Sequence, residues 1–173
     1  MSNSYKSNIN GKIKYEMPKM QKAILHHFLL FALIFLFVNN SYSFTSPKNS
    51  KLIISTDKEE IYFDVEIVTH PADRRKGLQG RTHLGFNEGM LFVFEKKQIV
   101  KMWMKGTPLS LDIIFILPDG KIGRIEENTT PFSRDIISSL AEVVAVLEVK
   151  AGQVKHFKIK SGDYVQHQML ENK

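Results

Sequence analysis

The sequence predicts an all-β domain, a small barrel-like or sandwich fold with one or two short helices, set behind an N-terminal hydrophobic export helix. Three observations predict it. Short runs rich in β-branched and aromatic residues recur from Lys51 onward, as strands require. Gly, Pro, Asn and Asp turn signals part them every ten residues or so. In residues 61–67, Tyr62, Asp64 and Glu66 alternate with Ile61, Phe63, Val65 and Ile67, the period-2 pattern of a half-buried strand.

The elements follow in chain order. Residues 1–18 are polar; Lys19 and Lys22 then precede an apolar stretch at 23–38, and Ser41 and Ser43 lie just past it. A positive end, an apolar core and small residues for a peptidase pocket are the parts of a secretory signal. The stretch is short of the roughly 20 residues a spanning helix prefers, and His26 and His27 interrupt it. Cleavage near Ser43 is therefore expected, with a retained anchor as the alternative and Met17 or Met20 as alternative starts. The chain divides into an extension and signal at 1–43, a polar linker with Pro47 at 44–50, and one β-rich domain at 51–170.

Within that domain, residues 51–56 and 61–69 read as two strands around Asp57-Lys58-Glu59-Glu60. Residues 71–78 read as a short helix: Pro71 suits its first turn, Asp73 lies early, Arg74-Arg75-Lys76 lies late and Gly77 ends it. Residues 89–95 and 99–105 read as two more strands joined by Lys96-Lys97-Gln98. Residues 111–117 form a further one, ending at the Pro118-Asp119-Gly120 turn, with 121–126 as its hairpin partner. Residues 128–139 are loop-like, ending in one helical turn. Residues 143–149 make an unbroken apolar strand, 155–160 a weaker one, and 164–168 a last one after Gly162-Asp163.

Charge and cysteine narrow the function. Taking the five lysines and one glutamate of residues 1–43 from totals of 24 basic and 18 acidic residues leaves 19 and 17. The basic character thus belongs largely to the targeting tail, and no nucleic-acid partner is expected. The chain has no cysteine, which excludes disulfides, thiolate sites, thiol nucleophiles and a lipidated cysteine anchor. No Gly-x-Ser-x-Gly elbow, no His-x-x-x-His pair and no phosphate-cradling glycine loop is present. Hydrolases of those types, zincins and nucleotide enzymes are poorly supported, and no cofactor is expected. Membrane contact is expected only through the N-terminal segment.

Residues 77–165 resemble the domain of unknown function 192 family. The likeness runs through Gly77-Leu78, Arg81, Leu84, the run from Gly89 to Phe94, Trp103-Met104-Lys105, Thr107, Leu111-Asp112-Ile113, Phe115-Ile116, Asp119-Gly120, Leu147-Glu148-Val149, Ala151-Gly152 and Gly162-Asp163. Gln79 stands where the family usually has Met, and Gly106 where it usually has Asn. The resemblance implies a compact, β-rich, commonly exported domain and supplies no activity.

Asp112 and Glu148 are acids set among apolar neighbours, where a carboxylate must be paired or exposed. Each is expected at a sheet edge, in an ion pair with Arg81 or Lys105, or in a pocket with them. The leading reading is a non-catalytic binding module. Arg81, Trp103, Lys105, Asp112 and Glu148 would line a cleft for a small polar ligand, a glycan or another envelope component. A second reading makes Asp112 and Glu148 an acid–base pair of an envelope hydrolase. A third takes Met102 and Met104, on one face of a strand, as thioether ligands for Cu(I); His83 would complete the set, with His70 or His156 as alternatives. Core filling is the plainer account of those methionines, and a solvated helix end is a plainer account of Arg74-Arg75-Lys76 than an anion site.

Overall fold

The computed structural model describes residues 50–171; the export segment and nearly all of the linker fall outside them. Seven strands form one sheet in the order β5-β4-β6-β3-β2-β1-β7: β1 (Ser50–Ser55), β2 (Glu60–Val68), β3 (Glu88–Met102), β4 (Leu111–Ile116), β5 (Ile122–Glu126), β6 (Ile137–Lys150) and β7 (Tyr164–Gln166). Every pairing is antiparallel except β2 with β3. A parallel pair needs a crossover, and the segment carrying α1 (Pro71–Lys76) supplies it. The two ends of the strand order meet at a bridge between Lys121 and Tyr164. There the Ile122 N–H donates to the Asp163 carbonyl and the Val165 N–H to the Gly120 carbonyl, both at 2.8 Å. The sheet thus curls into a barrel-like form, so that few backbone groups are left at open edges.

Two apolar cores lie on opposite faces of this sheet. Leu52, Phe63, Leu91, Ile114 and Leu147 belong to the inner one. Met90, Phe92, Ile113, Phe115 and Val146 belong to the outer one, together with Leu78, Leu84 and Met104 from the crossover and the β3–β4 loop. All six residues of β4 are consequently buried. Its sequence shows little alternation because neither face meets water. At about 1.5–3 kcal/mol for each fully buried large aliphatic side chain, two cores give a cysteine-free domain the stability it needs.

Three expected elements differ. The strands expected at 89–95 and 99–105 are one strand, β3, with register shifts between Val93 and Gln98 and between Ile99 and Lys101. Lys96-Lys97-Gln98 contains no breaking residue, and extra residues are absorbed as bulges; Lys97 pairs with Glu142 across the ladder at 2.9 Å. Residues 155–160 do not form a strand: α2 (Gln153–Phe157) occupies this region between Gly152 and Lys158, both at positive φ. A short apolar run does not distinguish the two states. Finally, the loop after Asn128 ends in the start of β6 at Ile137 and not in a helical turn. Among the described residues no helix is long and apolar enough to cross a membrane.

Candidate functional site

A cavity of about 580 Å³ opens beside the outer core, walled by α1 and its following turn, by β3, and by the loop after β3. Arg75, Lys76 and Gln79 come from the first wall, Gln98, Lys101 and Met102 from the second, Trp103 and Thr107 from the third, and Glu148 from β6. The short helix is pinned over the strand by Arg74. Its guanidinium lies 5.1 Å from the Phe94 ring centroid and donates to the carbonyls of Thr69 and Val93, the latter at 3.2 Å.

Glu148 is the chemically unusual member. It is 4 % exposed, and no described residue donates a hydrogen bond or ion pair to its carboxyl group. Its neighbours across the ladders, Met90 and Ile113, are apolar. Removing a carboxylate from water without a partner favours the neutral form, and burial pushes this group up to about 8. At neutral pH it is mainly a carboxylic acid, able both to donate and to accept. Arg75, Lys76 and Lys101 are exposed, and none forms an ion pair with a described residue. Trp103 is 48 % exposed, with the Lys105 ammonium 5.5 Å from its ring centroid.

The structure brings Glu148, Trp103 and, through the indole, Lys105 together; Asp112 and Arg81 lie elsewhere. Ile113 stands opposite Glu148 in the β4–β6 register, so Asp112, one residue along, points to the other face. Its carboxylate accepts the Asn128 and Val154 N–H groups at 2.9 and 3.0 Å, fastening a loop and the start of α2. The expectation that Asp112 and Glu148 share a hollow, as a catalytic pair or as ligand contacts, is corrected by that geometry. Arg81 makes a two-pronged pair with Glu66, with Nη2 at 2.9 Å from Oε2, and not with either acid.

The expected Met102 and Met104 strand face is corrected too. β3 ends at Met102, and Met104, 1 % exposed, is turned into the outer core. His83 is exposed on the crossover loop and His70 precedes α1, while His156 stacks edge-on with Phe86 and Phe157. Among the described residues no three His, Asp or Glu gather as a metal site. Sequence reasoning assigned no ligand role to Gln79, Gln98, Lys101 or Thr107. The Arg74-Arg75-Lys76 run was the available signal, but helix-end basic residues are ordinarily just solvated.

The sequence profile of the domain of unknown function 192 family, described as an uncharacterised ACR, matches residues 52–167. A solved structure from Sinorhizobium meliloti, provisionally named as a transcription regulator, is 37 % identical with a TM-score of 0.67; the match covers 70 % of this chain and 96 % of that one. A protein of unknown function from Novosphingobium aromaticivorans is 28 % identical with a TM-score of 0.70, covering 73 % and 90 %. No curated protein matches the chain.

Proposed function

Because the chain belongs to the domain of unknown function 192 family, whose profile spans the cavity-bearing domain, we propose that it is a binding module that holds a small polar ligand in the Glu148 cavity. One observation carries this reading: Glu148, a residue 4 % exposed overall, lines a cavity, and no described residue hydrogen-bonds to its carboxyl group. Polar groups set in an apolar surround are normally hydrogen-bonded, and this one faces the cavity with that capacity open. A ligand group in the cavity supplies the missing partner. The volume lies within the usual range for small-molecule sites, and Trp103 offers a wide amphipathic surface at the mouth.

Binding without catalysis is the better supported role. Among the described residues lining the cavity Glu148 has no second carboxylate or imidazole beside it, so the paired-carboxylate arrangement of a glycosidase-type hydrolase lacks its second member. The test is an NMR screen of a small-fragment library on the full-length protein in mild detergent. Shifts are expected at the Trp103 indole and at the Leu147 and Val149 amides, and Glu148→Ala should abolish them. Fragments that bind only elsewhere would overturn the reading.

The module works outside the cytoplasm, as the lysines, apolar stretch and small residues of 19–43 support. Fusing residues 1–50 to a reporter enzyme that folds only after export should give activity. Activity equal to that of a leaderless reporter would remove the export reading.

A further inference from the structure

We infer that the ligand of this cavity is an anionic sugar: its ring lies on Trp103, its charged group meets Arg75, Lys76 and Lys101, and a ring hydroxyl bonds to the Glu148 carboxyl group. This rests on the binding role just proposed and names the chemistry that fits it. The three cations line one cavity with Glu148 and Trp103, and none is engaged by a described acid. They therefore present uncompensated positive charge to whatever enters, and an anion gains most from it.

A bare inorganic anion would satisfy that charge but leave most of the 580 Å³ and the buried carboxyl group unused. The rest of the lining calls for a body rich in hydroxyl groups. Gln98 and Thr107 offer uncharged donors and acceptors to the same space, and Gln79, whose amide nitrogen already donates to the Arg75 carbonyl at 2.6 Å, has one N–H and its oxygen left. A hydroxyl can donate to a carboxyl oxygen or accept from its O–H, so the group deep in the cavity suits one in either protonation state. Burial keeps that group mainly neutral near pH 7, and the acid then does not repel the anion held at the rim.

The indole completes the pattern. Lys105 sits over its ring system, and the half-exposed remainder borders the cavity. The C–H face of a pyranose is apolar and can bury area there, and a planar heterocycle can do the same. The neutral amides and hydroxyl along the walls favour the hydroxylated ring.

Trp103 is the sole tryptophan of the chain, so intrinsic fluorescence of the full-length protein in mild detergent reports on this site. Glucuronate and glucose 6-phosphate separate carboxylate from phosphate as the anionic group; glucose and adenosine monophosphate are the contrasts. At least one of the two anionic sugars is expected to change the emission saturably, and glucose to bind at least tenfold more weakly. Arg75→Ala combined with Lys101→Ala should bring the anionic sugar down to the affinity of glucose, while Glu148→Gln, which keeps a polar partner, should weaken it less than Glu148→Leu. Glucose binding as tightly as both anionic sugars would overturn the inference, as would adenosine monophosphate binding when neither sugar does. If library fragments enter the cavity but no anionic sugar does, the ligand class falls and the binding role stands. If nothing enters, both fall.

Discussion

A Cβ placed on Gly106 would stand 3.0 Å from the Oε1 of Gln79, so the two positions at which the chain departs from its family's usual residues are in contact. The Gly80 N–H also donates to the Gly106 carbonyl at 2.9 Å, tying the turn after α1 to the loop that carries Trp103. Gly106 has φ +74, a left-handed conformation that glycine adopts freely and asparagine better than most residues. The family's usual polar residue is missing at 106, and Gln79 brings an amide to the same spot.

The pair should behave as a unit. Gly106→Ala is expected to cost about 1 kcal/mol because of its φ, and Gly106→Asn less. In a double-mutant cycle with Gln79→Met, the Asn substitution should be better tolerated, with a coupling of roughly 0.5 kcal/mol or more. Urea denaturation of the four proteins measures it, and strict additivity would refute the coupling.

Glu148 sets an unusual pH dependence. Its carboxyl group is raised from 4.5 to about 8 in the folded state, so between those values the native protein keeps a proton that the unfolded chain gives up. Stability then falls as pH rises through this window, and the cost is complete above about 8. Below the unfolded value neither state bears it. At about 1.4 kcal/mol for each unit, the cost is on the order of several kcal/mol. Glu148→Gln should flatten the stability profile from pH 5 to 8, measured by urea unfolding at each pH. A variant whose profile still falls like the parent's would contradict this account.

His167 works in the opposite sense. Its Nδ1 accepts the Met169 N–H at 3.1 Å, so Nε2 carries the ring proton and donates to Ser50 Oγ at 3.0 Å. Burial holds the imidazole below its usual value. The unfolded chain therefore takes up a proton that the native state resists, and the contact contributes stability above about pH 6.5 that is lost as pH falls through the native value. NMR titration should place the His167 midpoint below 6.5, with the Met169 amide shifting in step. A midpoint at or above 6.5 would show that the contact does not discriminate against the charged ring.

Asp112 should matter for folding and not for binding. Asp112→Ala leaves two N–H groups, those of Asn128 and Val154, without their acceptor, and should cost roughly 2–4 kcal/mol. Asp112→Asn, which keeps one acceptor oxygen, should cost less. Urea midpoints test the cost, and Trp103 emission should be unchanged in the folded variants. Asp112→Ala unfolding at the parent's midpoint would remove this role.

How much of this was legible follows from the range of each signal. The turn at Pro118-Asp119-Gly120, the alternation of β2 and the helix from Pro71 to Lys76 are written in neighbouring residues, and the structure has them where the sequence puts them. The joining of β3 through Lys96-Lys97-Gln98 was not legible, because its pairing partner, β6, lies some forty residues away. The same distance hid the site. Glu148 and Asp112 look alike in sequence, each an acid among apolar residues; register alone turns one to the cavity and the other to two backbone N–H groups.

By itself, then, the sequence determined a β-rich, cysteine-free domain, its family, and an N-terminal pattern that reads as an export signal, since strand alternation, turn chemistry and apolar length are local properties. Only the tertiary structure decided which acid is left without a partner among the described residues and which cations share its cavity. Those outcomes depend on the face each side chain takes once strands far apart in the chain have paired, and a one-residue change of register would exchange the faces.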